Sequence, residues 1–378
     1  MNEAVLWADV DDLVTRHAEL WSALKDKTVL LTGGSGFIGS FVVKLLSRLN
    51  EAYGLHITVM LIGRDSSRLR SVLGAAESLD RVVLLEQDVR GRVKIPQAVD
   101  YVIHGASHAD PGSYMADPVG TITTNVLGTM NLLDALRDQS VINMLFLSTV
   151  EVYGAHGHTG AIGEGSVGAI DPMVVRNCYP LSKSCAENLC LCYSAQYGVP
   201  VTVARLAYVY GPGSHLDDPK VVTAFISALQ RGEDLVLKSA ATQRRTYCYI
   251  KDAVFGLLLA LLRGEQGEVY NVSSMNSVVS VRGIADALLD LFGDGAQRVI
   301  YRDPSETERG SFSLAQDNVL DNRKIRALGY EETVDVVQGL RNTGRYFGLA
   351  NTDEPGLPAS ELSMQVRFAQ TDHKQVSR

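Results

Sequence analysis

The run Thr28-Val29-Leu30-Leu31-Thr32 passes directly into Gly33-Gly34-Ser35-Gly36-Phe37-Ile38-Gly39, and then into the apolar-dense Ser40-Phe41-Val42-Val43-Lys44-Leu45-Leu46. This reads as a buried strand, a tight turn and a packed helix. Gly33 can take a turn conformation closed to other residues, Gly36 lets the backbone approach a ligand, and Gly39 lets the helix lie close on the strand. The start of that helix offers free N–H groups and partial positive charge to a pyrophosphate. Three spaced glycines alone make an ordinary turn. Placed between a strand and a helix near the start of a long chain, they point to dinucleotide binding.

Further apolar runs follow at Ile57 to Ile62, Arg81 to Glu86, Tyr101 to Ala106, Met144 to Ser148 and Val201 to Leu206, separated by helical patterns, notably Thr121 to Arg137 and 180 to 197. Alternation of this kind predicts an α/β fold, a doubly wound parallel sheet with its ligand crevice at the carboxyl ends of the strands. Residues 27–205 with 245–272 form the expected dinucleotide-binding domain. The pattern loosens after Gly211, so 206–244 with 273–348 are expected to form a smaller C-terminal substrate-binding lobe. Residues 1–26 carry Val10, Leu13, Val14, Leu20, Trp21 and Leu24 at helical spacing, as for an extension packed outside the domain or at a subunit contact. Periodicity fades after residue 349, and 349–378 read as a flexible tail.

Composition narrows the function. A formal charge of −8 over 378 residues, with no basic run interleaved with aromatics, argues against a nucleic-acid partner. No apolar run approaches the ~20 residues that cross a bilayer, and the first residues are acidic where a signal peptide is basic, so no membrane partner and a cytoplasmic location are expected. The five cysteines are odd in number and lack metal-finger spacing, which favours buried free thiols and no metal site.

The chemistry centres on Tyr179 and Lys183, four residues apart at the start of a helix and so on one face. Tyrosine titrates near ~10 and is a poor base at neutral pH, but a neighbouring cation stabilises the phenolate. Lys183 can supply that charge and hold a ribose hydroxyl. Ser148 and Thr149 end the fifth strand, at the edge where a cofactor lies, and Thr149 can share a hydrogen bond with the phenol and a substrate alcohol.

Together these residues resemble the extended short-chain dehydrogenase/reductase family, in its nucleotide-sugar epimerase/dehydratase branch, from about Lys27 to about Gly348. The resemblance is carried by the glycine loop, Asp88-Val89, His104-Gly105-Ala106-Ser107, Asn125 with Gly128-Thr129, Ser148 to Gly154, Tyr179 to Lys183, Arg205 to Pro212 and Arg245 to Asp252. His104 to Thr121 and Asp171 to Lys183 look most similar to UDP-glucuronate decarboxylases. The likeness implies a Rossmann-type fold, bound NAD, a nucleoside diphosphate sugar as substrate, and a homodimer. It assigns catalysis to Tyr179, Lys183, Thr149 and Glu151. It places Gly33, Gly36, Phe37, Ile38, Gly39, Arg64, Asp65, Asp88, Val89, Ala106, Ser107, Asn125 and Ser148 against the cofactor, with Tyr179 and Lys183. His108, Tyr208, Lys220, Arg245 and Arg309 fall at the substrate. The second strand ends Gly63-Arg64-Asp65, where Arg64 would suit a 2′-phosphate and Asp65 a ribose; the decarboxylase likeness favours NAD over NADP.

In this branch a phenolate takes the proton of the sugar's C4 hydroxyl, giving a transient 4-keto sugar that can lose CO2, lose water or epimerise. Dehydratases carry an Asp-Glu pair where this chain has Val150-Glu151, so decarboxylation ranks first, epimerisation second and 4,6-dehydration third. Two rivals remain. One is a net oxidoreductase of a steroid-like or flavonoid-like alcohol, against which the Arg245 segment weighs. The other is a non-catalytic NAD(P)-binding sensor, against which retention of both Tyr179 and Lys183 weighs.

Overall fold

The computed structural model describes residues 1–73, 81–157, 160–305 and 316–350. Twelve strands are found among them: β1 Thr28–Thr32, β2 Thr58–Gly63, β3 Val82–Glu86, β4 Tyr101–His104, β5 Asn143–Thr149, β6 Val201–Leu206, β7 Tyr208–Tyr210, β8 Leu235–Leu237, β9 Arg244–Tyr249, β10 Val269–Val272, β11 Val278–Ser280 and β12 Val299–Tyr301. Seven pair in parallel in the order β10-β6-β5-β4-β1-β2-β3. Helices cover both faces of this sheet, which explains why its strands are apolar runs rather than alternating ones. The order reverses beside β1, which lies between β2 and β4. A crevice therefore opens at the carboxyl ends of β1 and β4, where the glycine loop and His104 to Ser107 emerge.

The five expected strands after β1 hold to within two residues at each end, and the sheet gains a seventh strand, β10, that pairs with β6. Beyond this sheet, β7 and β11 flank β9 in a three-stranded sheet, and β8 pairs with β12. The register sets Tyr208 of β7 opposite Tyr247 of β9. Arg245 of β9 stands opposite Val279 of β11.

Local chemistry sets the helix ends that matter here. The glycine-loop helix Phe37–Tyr53 begins at Gly36 with no side-chain cap and ends at Gly54 in the left-handed region. Asp117 caps Pro118–Leu136, with proline at its first position. The tyrosine–lysine helix Cys178–Tyr197 holds Pro180 in its first turn, where an N–H has no helical partner to lose, and stops at left-handed Gly198.

The N-terminal helix is seated on the rest of the chain by one face, with Ala4, Ala8, Thr15 and Arg16 exposed on the other. Leu6, Val10, Leu13 and Val14 of the helix Glu3–Arg16 are buried, Trp21 is fully enclosed, and the Trp21 indole N–H donates to the Leu13 carbonyl at 3.1 Å. Polar ties fix this helix from several sides. Tyr249 donates to Asp9 at 2.6 Å, Lys251 pairs with Asp12 at 2.7 Å, and Arg48 pairs with Asp11. The Asn2 amide donates to the Tyr346 carbonyl at 2.6 Å, and the Tyr346 hydroxyl bonds Glu3.

Cys178, Cys190 and Cys248 are buried free thiols, whereas Cys185 and Cys192 lie exposed on the outer side of their helix. Among the described residues no helix is long and apolar enough to cross a membrane, and no group of side chains is arranged to hold a metal. Arg309 and residues 351–378 lie outside the described residues.

Candidate active site

The glycine loop is shaped by contact. Gly33 has φ +75°, and a Cβ there would lie 2.6 Å from the Gly105 carbonyl oxygen. A Cβ on Gly39 would collide with the Gly33 carbonyl, so this glycine lets the helix close onto the turn. The Gly36 amide bonds the Gly33 carbonyl at 3.0 Å, and Phe37 and Ile38 open the uncapped helix. These amides, the helix dipole and the bare backbone fit a dinucleotide pyrophosphate.

Behind the loop, a buried polar chain joins β1 to β4. The Ala106 amide donates to Thr32 Oγ1 at 3.1 Å, which lies 2.6 Å from His104 Nδ1. His104 Nε2 lies 3.0 Å from Thr129 Oγ1, which in turn donates to the Asn125 carbonyl at 2.5 Å. These directions assign a neutral imidazole protonated on Nε2, accepting at Nδ1. Burial, helped by the charge of Lys183, holds its pKa down to about 3. Asn125 donates to Ser182 Oγ at 2.9 Å, and Ser182 donates to the Tyr179 carbonyl, which braces the start of the tyrosine–lysine helix. Asn125 Oδ1 is left buried without a partner among the described residues. Val89 packs where a side chain on Gly128 would stand, and its carbonyl accepts from Asn131. Ser107 Oγ bonds the His108 carbonyl, and Thr121 shares a hydrogen bond with His108 Nδ1 at 3.3 Å.

Tyr179 is buried, and its phenol hydrogen-bonds the Thr149 side chain. Thr149 Oγ1 also accepts from the Glu151 amide at 3.3 Å, capping the turn Val150–Tyr153. Burial and then the charge of Glu151 push the phenol above its ordinary range, while Thr149 and Arg176 pull it back. Lys183 was expected to be the cation acting on the phenol. Instead its ammonium donates to the Leu147 carbonyl at 2.7 Å, 4.7 Å above the Phe146 ring. A buried ammonium needs an acceptor, and the end of β5 supplies it. Burial pushes Lys183 down to about 8, opposed by Glu187.

Several expected site residues are engaged by contacts within the chain. Ser148 turns its hydroxyl away to Glu187, which Arg205 holds through Nη2 at 2.7 Å. Asp65 accepts from the Ser67 amide and hydroxyl and from the Arg68 amide, so its Oδ1 caps the helix Ser66–Leu73 rather than waiting for a ribose. Asp88 is held by Arg90 at 2.6 Å and also feels Arg64, which is exposed at the end of β2. Lys220 pairs with Asp218 at 2.6 Å on the surface, because the turn before its helix places that carboxylate two residues away.

Residues that sequence reasoning missed complete the cluster. Arg176 grips Glu151 with Nη1 to Oε2 at 2.8 Å and Nη2 to Oε1 at 3.2 Å. Tyr114, fully buried, stacks on Tyr179 with ring centroids 5.2 Å apart and 6° between planes, while the Arg176 guanidinium lies 5.7 Å from the Tyr114 ring. The available signal was position: Arg176 stands three residues before Tyr179, and Tyr114 lies in the segment after His104. The Arg245 guanidinium sits 4.9 Å over the Tyr208 ring, and Asn318 donates to the Tyr208 hydroxyl at 3.3 Å.

The comparisons with known proteins agree with this geometry. Residues 29–273 match the model of the NAD dependent epimerase/dehydratase family. UDP-glucuronic acid decarboxylase 6 of Arabidopsis thaliana is 31% identical over 82% of this chain and 86% of its own. UDP-glucuronic acid decarboxylase 1 of Xenopus tropicalis is 32% identical over 85% of this chain and 72% of its own. Among solved structures, a UDP-glucose 4-epimerase of Thermotoga maritima superposes with TM-score 0.72 at 26% identity, covering 85% of this chain and 98% of its own. A dTDP-glucose 4,6-dehydratase of Streptomyces venezuelae, solved with NAD, gives TM-score 0.68 at 27% identity, over 85% and 96%. With its glycine loop, its buried tyrosine and lysine and its seven-stranded parallel sheet, the chain belongs to the NAD dependent epimerase/dehydratase family, the epimerase/dehydratase branch of the extended short-chain dehydrogenase/reductases, whose cofactor is NAD.

Proposed function

We propose that the protein is a nucleotide-sugar enzyme that oxidises the sugar's C4 hydroxyl transiently and decarboxylates a UDP-hexuronate. The observation that carries this reading is the state of Glu151. In a dehydration, a carboxylate at this place must take the C5 proton and a neighbouring acid must help water leave C6. Here the neighbour is Val150, and both Glu151 oxygens are engaged by Arg176. A decarboxylation needs no such base, because the electron pair of the C5–C6 bond flows into the C4 ketone as CO2 departs, and C5 then takes a proton.

Each residue has a part in this scheme. Bound NAD supplies the acceptor, and later the donor, of the C4 hydride. Tyr179 Oη takes the C4 hydroxyl proton and later returns it, with Thr149 bonded to the phenol to fix its direction. Lys183 holds the cofactor's ribose from within the helix. Gly33, Gly36 and Gly39 seat the pyrophosphate of NAD, with Phe37 and Ile38 at the helix start. Arg245, braced on Tyr208, meets the phosphates of the substrate, for which a planar bidentate donor is suited. The decarboxylases among the relatives support the choice of hexuronate.

A homodimer belongs to the same proposal. Val119, Ile122 and Leu127 on Pro118–Leu136 and Leu191 on Cys178–Tyr197 are exposed on neighbouring helices, as suits a face covered by a second copy. Incubation with a panel of nucleotide sugars, read by product mass, tests the reaction. Release of CO2 from UDP-glucuronate is the expected result. Loss of water, or an isomer of unchanged mass, from any panel member in its place overturns it.

A further inference from the structure

We infer that Arg176 is a positioning residue, which fixes Glu151 at the site and shields the Tyr179 phenol from the charge of that carboxylate. The inference rests on Tyr179 as the proton-transfer group of the reading above, but not on which sugar is bound or what becomes of it.

The geometry gives Arg176 both tasks. Its two terminal nitrogens meet the two carboxylate oxygens in a fork, an arrangement that sets orientation as well as distance. The pair is largely removed from water, with side-chain exposures of 10% for Arg176 and 16% for Glu151. Screening by solvent is therefore weak, and an uncompensated carboxylate here would act strongly on its neighbours. The phenol is one of them, being fully enclosed and raised by Glu151 as well as by burial. Arg176 is the cation that acts on it in the opposite sense. Arg176 also lies near the Tyr114 ring, and that ring lies flat on Tyr179, so displacement of the guanidinium would loosen the plate against which the phenol is aligned.

Around Tyr179 stand Cys178 and Lys183 on its own helix, Glu151 after β5, Arg176 in the turn Val175–Asn177, and Tyr114 on the helix Pro111–Ala116. Lys183 is directed to the Leu147 carbonyl, and Cys178 to the Tyr114 carbonyl. Around Arg176 stand Glu151, Tyr114 and Tyr208. Glu151 is thus the only carboxylate acting on the phenol among the described residues; the Thr149 hydrogen bond opposes the rise first, and Arg176 is the cation that offsets part of it.

The test uses the full chain saturated with NAD. Tyrosinate absorbance, taken as the difference from the Tyr179→Phe variant, is followed against pH in the wild type, Arg176→Met, Arg176→Lys, Glu151→Gln and the double variant Glu151→Gln/Arg176→Met. Arg176→Met is expected to move the Tyr179 titration up by about one pH unit. Arg176→Lys should keep most of the wild-type position, and the double variant should return close to it. Should Arg176→Met fail to fold, Glu151→Gln against the double variant measures the same cation with no carboxylate left unpaired, and the double variant should titrate higher by about one unit. Coincident titrations in that comparison, or a Tyr179 phenol that stays protonated at every pH in all of these proteins, would overturn the inference. If the titrations shift as stated while no nucleotide sugar is converted, the functional reading fails and this one stands.

Discussion

Glu187 stands one helical turn beyond Lys183, and its carboxylate opposes the loss of charge that burial imposes on that ammonium. With Lys183 at about 8, turnover should decline as the pH rises through that value, because the neutral amine no longer attracts the ribose. Glu187→Gln removes the opposing charge and should bring the decline to lower pH. It should also cost roughly 3–5 kcal/mol, since Arg205 would be left buried with its main partner gone. Rate against pH and denaturant unfolding measure the two effects.

Tyr179→Phe should abolish turnover, a loss of at least about 10²–10⁴-fold, while NAD remains bound. Thr149→Val leaves the phenol in place without its hydrogen-bond partner and should slow the reaction roughly ten- to hundredfold. Steady-state kinetics with cofactor titration checks both. Unchanged activity in Tyr179→Phe would reject that residue as the base.

Gly33→Ala should weaken NAD binding by at least about tenfold, a cost set by a strained backbone and a close contact. The residue has φ +75°, and the added methyl would press on the Gly105 carbonyl at 2.6 Å. Relief requires the loops after β1 and β4 to separate, and the cofactor crevice lies between them. Calorimetric titration with NAD measures the loss.

Burial raises Asp9 from 3.8 to about 6, with Tyr249 and Lys251 acting against the rise. Between those values the folded chain holds a proton that the unfolded chain has released. This site's contribution is therefore fully present below pH 3.8 and falls as the pH climbs to about 6, by about 3 kcal/mol in total. His104 works in the opposite direction: its pKa is depressed from 6.5 to about 3, so its contribution grows as the pH rises through that interval. Asp9→Asn should abolish only the first trend, and the difference in unfolding free energy between variant and wild type, taken at several pH values, isolates it.

The sheet was legible because strands covered on both faces are apolar over most of their length, and β1 to β6 each carry an uninterrupted or nearly uninterrupted apolar run. β10 was not, since four residues including Tyr270 and Asn271 carry too little pattern to separate a strand from a loop. At the site, Tyr179, Lys183 and Thr149 could be named from local spacing and a strand end, and Glu151 from the family likeness. Arg176 could not, because its ion pair reaches back 25 residues and exists only once the chain is folded. At Asp65 the local signal is double: a carboxylate at the end of a strand can serve a ribose or cap the next helix, and the Ser67 and Arg68 amides give its Oδ1 the capping task. The same ambiguity sent Ser148 toward the cofactor when Glu187 had already claimed it.

The bond from the Asn2 amide to the Tyr346 carbonyl makes the first helix a late arrival. Arg48 on the glycine-loop helix reaches it soon after it is made, but its partners at Tyr249, Lys251 and Tyr346 emerge much later, so that side of the helix must wait for them through much of translation. Nascent chains halted before residue 336 should leave the helix more open to protease than chains extended past Tyr346.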